Sequence, residues 1–265
     1  MDFGNSWLDV GYPQEKIKKV YKKVCIFTKN ILYYTVLTQR RHSAALPPGA
    51  SCDRVFYFVA KKIMAKVSFF IDGFNLYHAL NNDCFRRFKW LNLRKLAELY
   101  LRKQDTLADI FYFTAFARWN PDKVKRHEIY IQAQEFFGVR PIYGEFRRVT
   151  KTCRECGRKY DTFEEKETDV NIAIKLFEQA YLNTYDRAVI LSGDSDLIPV
   201  MRAIRQNFPA KKVDVLIPPG GKAKLLIEEA DFNFKIKSKQ LSSARLPDEI
   251  TFANGRQIRC PEQWR

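Results

Sequence analysis

From Lys66 onward the chain alternates two hydrophobic patterns. Short continuous apolar runs at 67–71, 110–115, 187–191, 212–217 and 232–236 predict buried strands. Between them, apolar residues recur every three or four positions. That spacing predicts a helix after the first strand and further helices over 91–102, 120–137, 166–182, 197–206 and 222–230. Asn120-Pro121 is a helix start with proline at its first position, and Gly138 marks the end of the same helix. Residues 139–149 read as extended. Regular strand–helix alternation predicts an α/β fold, a mostly parallel sheet with helices on both faces.

The flanks read differently. Residues 14–38 carry a loose helical stripe at Ile17, Val20, Tyr21, Val24, Phe27 and Ile31, and Leu46-Pro47-Pro48-Gly49 breaks it. Met64 opens the first strand of the α/β pattern. Residues 1–63 are therefore a basic N-terminal extension, either a genuine arm or sequence upstream of a natural start at Met64. The main domain spans 64–240, with a small basic, cysteine-containing insert at 147–163. Residues 241–265 read as an irregular C-terminal tail.

Charge narrows the function. The formal net charge of +16 over 265 residues points to a polyanionic partner, with nucleic acid foremost. The six cysteines form no disulfide framework, which predicts a reducing compartment, the cytoplasm. No apolar run approaches the ~20 residues that span a bilayer, so no membrane partner is expected. Lys29 interrupts the would-be apolar region of a signal peptide.

Two acidic motifs stand where predicted strands end. Asp72 closes the first strand, Gly73 permits a tight turn, and Asn75 falls in the first helical turn on the same side. Ser192, Gly193, Asp194, Ser195 and Asp196 follow the strand at 187–191. Asp169 lies near the start of the helix at 166–182, beside its apolar stripe. An Asp in any one of these places also serves as a helix cap. Several carboxylates at the carboxyl edge of a parallel sheet call for a hard cation such as Mg²⁺ or Mn²⁺. Glu165 and Glu167 flank Asp169 on more exposed faces, with Glu167 the one placed to reach inward. His42, His78 and His127 sit in no motif and are assigned structural or surface roles.

The motifs F-I-D-G-F-N-L-Y at 70–77, E-T-D-V at 167–170 and L-S-G-D-S-D-L at 191–197 together resemble the NYN domain family, in its LabA-like branch of the PIN-like nucleases. The resemblance covers about 65–237. It implies a PIN-like three-layer α/β/α fold and a metal-dependent endoribonuclease acting on single-stranded RNA. Its metal-binding and catalytic positions fall on Asp72, Asp169, Asp194 and Asp196, with Asn75 and Ser192 beside them toward substrate. The acidic set fits metal-assisted phosphodiester hydrolysis on its own terms. The alternatives are a catalytically silent RNA-binding or regulatory protein of the same fold, and a metal-dependent phosphatase.

The insert adds two expectations. Arg147, Arg148, Arg154 and Arg158, with Tyr143, Phe146 and Tyr160, mix charge and aromatic rings as single-strand binding surfaces do; a merely solvated basic hairpin would look the same. Cys153 and Cys156 form half of a zinc ribbon, needing two more ligands. Those ligands would come from elsewhere in the chain or from a homodimer; otherwise the pair is a reduced dithiol.

Overall fold

The computed structural model describes residues 64–265 and, within the first 63, the strands β1 (Val20–Thr28), β2 (Ile31–Thr38) and β3 (Phe56–Lys62). These three form an antiparallel sheet in the order β1-β2-β3. The expected helical stripe over 14–38 is therefore corrected from Val20 on. Valine, isoleucine, tyrosine and threonine crowd V-Y-K-K-V-C-I-F-T and I-L-Y-Y-T-V-L-T, and β-branched and aromatic residues favour a pleated surface. Residues 14–19 and the Leu46–Gly49 break lie outside the described residues.

Residues 64–265 form a separate unit. Its strands are β4 (Ala65–Asp72), β5 (Asp105–Thr114), β6 (Arg140–Tyr143), β9 (Arg187–Leu191), β10 (Lys212–Ile217) and β11 (Phe232–Lys235). They make one parallel sheet in the order β11-β10-β9-β4-β5-β6. The chain runs outward from β4 through β5 to β6, then returns to β4's other side with β9. The order in which strands are added therefore reverses between β4 and β9, the place where open α/β sheets bind ligands.

Alternation along the strands splits the core in two. Val67, Phe69, Ile71 and Leu191 face the layer of α1 (Gly73–Leu80), α2 (Leu93–Glu98) and α3 (Pro121–Phe136). Phe70, Phe113, Ala188 and Ile190 face α4 (Thr168–Tyr181), α5 (Ile198–Asn207) and α6 (Lys224–Glu229). This is the expected three-layer arrangement. Arg187 is buried at the start of β9 and pairs with Asp105 of β5 and with Asp214 of β10, the latter at 2.9 Å. No helix among the described residues is long and apolar enough to cross a membrane.

One segment sharpens the sequence reading and another departs from it. The region around the insert is an antiparallel hairpin, β7 (Glu145–Thr152) paired with β8 (Lys159–Lys166). The expected irregular tail carries α7 (Ser238–Ser243) and the hairpin β12 (Glu249–Thr251) with β13 (Gln257–Arg259). Leu241, Leu246, Ile250, Ile258 and Cys260 are buried in the cluster that holds Trp90 and Tyr130. The Trp90 indole N–H donates to the Pro247 carbonyl at 2.8 Å. The tail's apolar residues follow no single period because each short element offers only one or two of them to a surface made elsewhere.

Candidate active site

Asp72 is the last residue of β4, 2 % exposed, and the cap of α1. One carboxylate oxygen accepts the Asn75 N–H at 2.9 Å, and the other accepts the Ser192 hydroxyl at 2.8 Å. The parallel register that sets Ile71 beside Leu191 brings the two strand exits together. Gly73 makes the turn possible: a β-carbon there would lie 2.5 Å from the Phe113 carbonyl and 2.8 Å from the Tyr112 ring. Asn75 accepts the Gly193 N–H at 3.1 Å through its side-chain oxygen, tying α1 to the loop after β9. That loop is fixed further by the Asp194 N–H, which donates to Ser192 Oγ at 3.0 Å, and by Asp194 itself, which accepts the Asp196 N–H at 3.0 Å.

Asp72, Asn75, Asp169 and Asp194 line one pocket of about 180 Å³. Asp196 is exposed and does not line it, yet stands close enough to act on Asp169 electrostatically. Burial, then the like charges of Asp194, Asp72, Glu165 and Asp196, push the Asp169 carboxyl up to about 6. Burial also raises Asp72, against the pull of its hydrogen bonds from Asn75 and Ser192. Among the described residues, none of Asp72, Asp169, Asp194 and Asp196 has a Lys, Arg or His within ion-pair distance, although many other acids of the domain do.

Phe74, His78, Glu165 and Thr168 complete the pocket. The sequence reading missed them and favoured the wrong glutamate. Glu165 is a strand residue of β8, and its carboxylate accepts both the N–H and the hydroxyl of Thr168 at the head of α4. Glu167 takes a left-handed conformation, φ 77°, and turns outward to Arg147 at 2.9 Å. The helix begins at Thr168, two residues later than the apolar stripe suggested, so the helical geometry assumed for both glutamates does not apply. His78 is exposed, as expected of a surface residue, and also lines the pocket, one helical turn on from Asn75 on the same face of α1.

The donor set suits Mg²⁺ or Mn²⁺: clustered carboxylate oxygens without a cation to balance them. Among the described residues no group of three His, Cys, Asp or Glu side chains is placed to hold a metal ion together. Mg²⁺ characteristically takes one or two carboxylates and leaves its other positions to water and phosphate, so an open pocket of this kind fits it.

The hairpin residues divide. Arg147 pairs with Glu145 and Glu167, and Arg148 with Asp161. Arg154 and Arg158 lie in and beside the tip turn and are exposed. Cys153 and Cys156 share that turn, where the N–H groups of Cys156 and Glu155 pull the Cys153 thiol down. No third zinc ligand joins them among the described residues. At the hairpin base, Phe146 meets Phe74 edge-on at 5.4 Å.

Residues 66–237 match the NYN domain. The chain belongs to the NYN domain family. NYN domains are part of the PIN-like nuclease superfamily, whose members generally use divalent metals. Among curated proteins, this NYN chain is similar to the 6-hydroxy-3-succinoylpyridine 3-monooxygenase HspA of Pseudomonas putida, 27 % identical over 239 residues that cover 74 % of each chain. Among solved structures, it is similar to a protein of unknown function from Vibrio parahaemolyticus, with a TM-score of 0.46 and 18 % identity over 69 % of this chain and 97 % of that one. It also matches the N-terminal domain of Candida albicans trehalose-6-phosphate phosphatase, with a TM-score of 0.27 and 17 % identity over 74 % of this chain and 47 % of that one. Similarities at that level carry no functional argument.

Proposed function

We propose that this NYN domain is a metal-dependent endoribonuclease that hydrolyses phosphodiester bonds of single-stranded RNA. The observation that carries the reading is the carboxylate cluster of Asp72, Asp169 and Asp194, gathered without a cation at the point where the strand order reverses. Clustered like charges raise one another's proton affinity, and a bound proton or a positive ligand relieves them. One or two carboxylates drawn from Asp72, Asp169 and Asp194 would hold the metal, water and substrate phosphate would take its other positions, and Asp196 would stand at the rim. A bound Mg²⁺ or Mn²⁺ supplies orientation of a water and stabilisation of charge in an in-line displacement. Ser192 and Asn75 hold Asp72 and the loop of Asp194 in one fixed relation, so little reorganisation is needed when the substrate arrives. The +16 charge favours a polymer over a small phosphate ester. Arg154 and Arg158 are the hairpin cations we assign to phosphate contact, while Arg147 and Arg148 are engaged by carboxylates. Incubation of the protein with labelled single-stranded RNA in Mn²⁺, Mg²⁺ or EDTA tests the reading. Binding without cleavage in either metal would favour the silent RNA-binding alternative.

A second reading changes the substrate. The Pseudomonas relative is named for oxidation of a substituted pyridine, and a cavity of about 800 Å³ adjoins the acidic pocket here. That volume is ordinary for a small-molecule site. Stabilisation of the protein by 6-hydroxy-3-succinoylpyridine, with no binding of RNA, would favour this second reading.

A further inference from the structure

The larger cavity shares Phe74, His78 and Glu165 with the acidic pocket, so its occupant would reach the carboxylates directly. Hydrolysis as described above leaves it without a role. One wall is aromatic: Trp119, in the loop before α3, stacks on Phe163 of β8 at 3.9 Å and 5°, and Phe146 meets Trp119 edge-on at 4.7 Å. Tyr77 of α1 lines the cavity too. Trp119 and Tyr77 are each 42 % exposed and Phe163 36 %, although rings of this size ordinarily gain by burial.

The same cavity is lined by Lys89, Lys123 and Arg126. Among the described residues none of the three has a carboxylate within ion-pair distance; Lys89 donates to the neutral Asn81 oxygen at 2.7 Å. Their repulsion is felt: burial, then Arg86, Arg126 and Lys123, lower the Lys89 ammonium. On the α3 side, burial holds His127 down to about 4, so its ring is neutral at pH 7, and it shares a hydrogen bond of 3.1 Å with Thr114. One compartment thus offers flat rings, uncompensated positive charge and an uncharged polar edge, and opens onto uncompensated carboxylates.

We propose that this cavity takes one nucleotide of the RNA strand, with its base against the wall of Trp119, Phe163 and Phe146 and its phosphate on Lys89, Lys123 and Arg126, so that the adjoining phosphodiester lies over Asp72, Asp169 and Asp194. The proposal rests on the ribonuclease reading and names where its substrate sits. Charge complementarity selects the occupant. Stacking rings beside a basic groove bind single strands, and a strand alone continues from the cationic compartment to a place where carboxylates and a metal take the next phosphate. A small aromatic anion would fill the first compartment and leave the second unused.

The test uses the full chain and a fluorescent eight-nucleotide oligouridylate in EDTA, read by anisotropy across a salt series. Trp119→Ala is expected to weaken binding roughly 5- to 150-fold, the value of one lost base stack, and Trp119→Phe to restore most of it. Lys123→Ala with Arg126→Ala is expected to weaken binding and flatten the salt slope by about 1.4, about 0.7 for each phosphate contact. This second variant alters only cations at the cavity edge and decides the matter even where Trp119→Ala fails to fold. Parental affinity and slope in the double variant overturn the proposal. So does a parent protein that ignores RNA while a small aromatic carboxylate raises its melting temperature through the same residues. Failure of the ribonuclease reading looks different: RNA binds in a Trp119- and Arg126-dependent manner, yet Mn²⁺ yields no cleavage. Cleavage by parent and double variant with equal KM leaves the ribonuclease standing and removes the nucleotide from this cavity.

Discussion

The hydroxyl of Ser192 donates to the carboxylate of Asp72 at 2.8 Å, across 120 positions of chain. The bond joins the ends of β4 and β9, and the same oxygen accepts the Asp194 N–H. Ser192→Ala leaves a buried carboxylate oxygen and a backbone N–H short of a partner. It is expected to cost about 1–3 kcal/mol of stability, read from urea unfolding. Unchanged stability would mean that Asp72 is positioned by α1 alone.

Asp169 predicts a pH signature. Its carboxyl is raised to about 6 from an ordinary 3.8, so between those values the folded state binds more protons than the unfolded chain. Its contribution to stability is therefore fully present at low pH and lost as pH rises through about 4 to 6, then flat. In metal-free melts, the stability of the parent relative to Asp169→Asn should fall across that window. At pH 7, Mn²⁺ should raise the melting temperature of the parent more than that of the variant. A pH-independent difference, or equal Mn²⁺ effects, would contradict this.

Gly73→Ala places a methyl group against the Phe113 carbonyl and the Tyr112 ring. The first turn of α1 must then move away from β5, at a cost of about 1–3 kcal/mol. Asp72 begins that turn, so RNA cleavage should fall along with the urea midpoint. A variant of parental stability and activity would show that the turn adjusts freely.

Arg187 sits 3 % exposed between Asp105 and Asp214, tying β9 to its neighbour β10 and, across β4, to β5. Arg187→Ala leaves Asp105 without its cation in the core and Asp214 with Arg102 alone at 3.3 Å, and is expected to cost about 3–5 kcal/mol. A loss under 1 kcal/mol in chemical denaturation would show that water reaches the acids.

The sheet and its acidic edge were legible because both rest on local rules. Continuous apolar runs announce parallel strands, and an Asp directly after such a run, as at Asp72, or three residues past its end, as at Asp194, lies at the strand exit. What escaped depends on contacts between remote segments. Glu165 lines the pocket because β8 delivers it there, and the left-handed turn at Glu167 delays the helix to Thr168. Trp119 and Phe163 look like stray surface aromatics until the hairpin stacks them. In β1, Val20, Val24 and Phe27 satisfy a helical spacing, yet their neighbours Cys25 and Ile26 belong to a strand. Leu246, Ile250 and Ile258 show no period because each comes from a separate short segment that joins the buried cluster holding Trp90.

The central claim is that the acidic pocket holds a metal that cuts RNA. Labelled single-stranded RNA, incubated with the full chain and with Asp194→Asn in Mn²⁺ and in EDTA, tests it most directly. Internal cleavage by the parent in Mn²⁺ is predicted, with loss to background in EDTA and in the variant, whose far-ultraviolet circular dichroism stays native. Cleavage that persists in EDTA, or an Asp194→Asn protein that cuts at the parental rate, would contradict it.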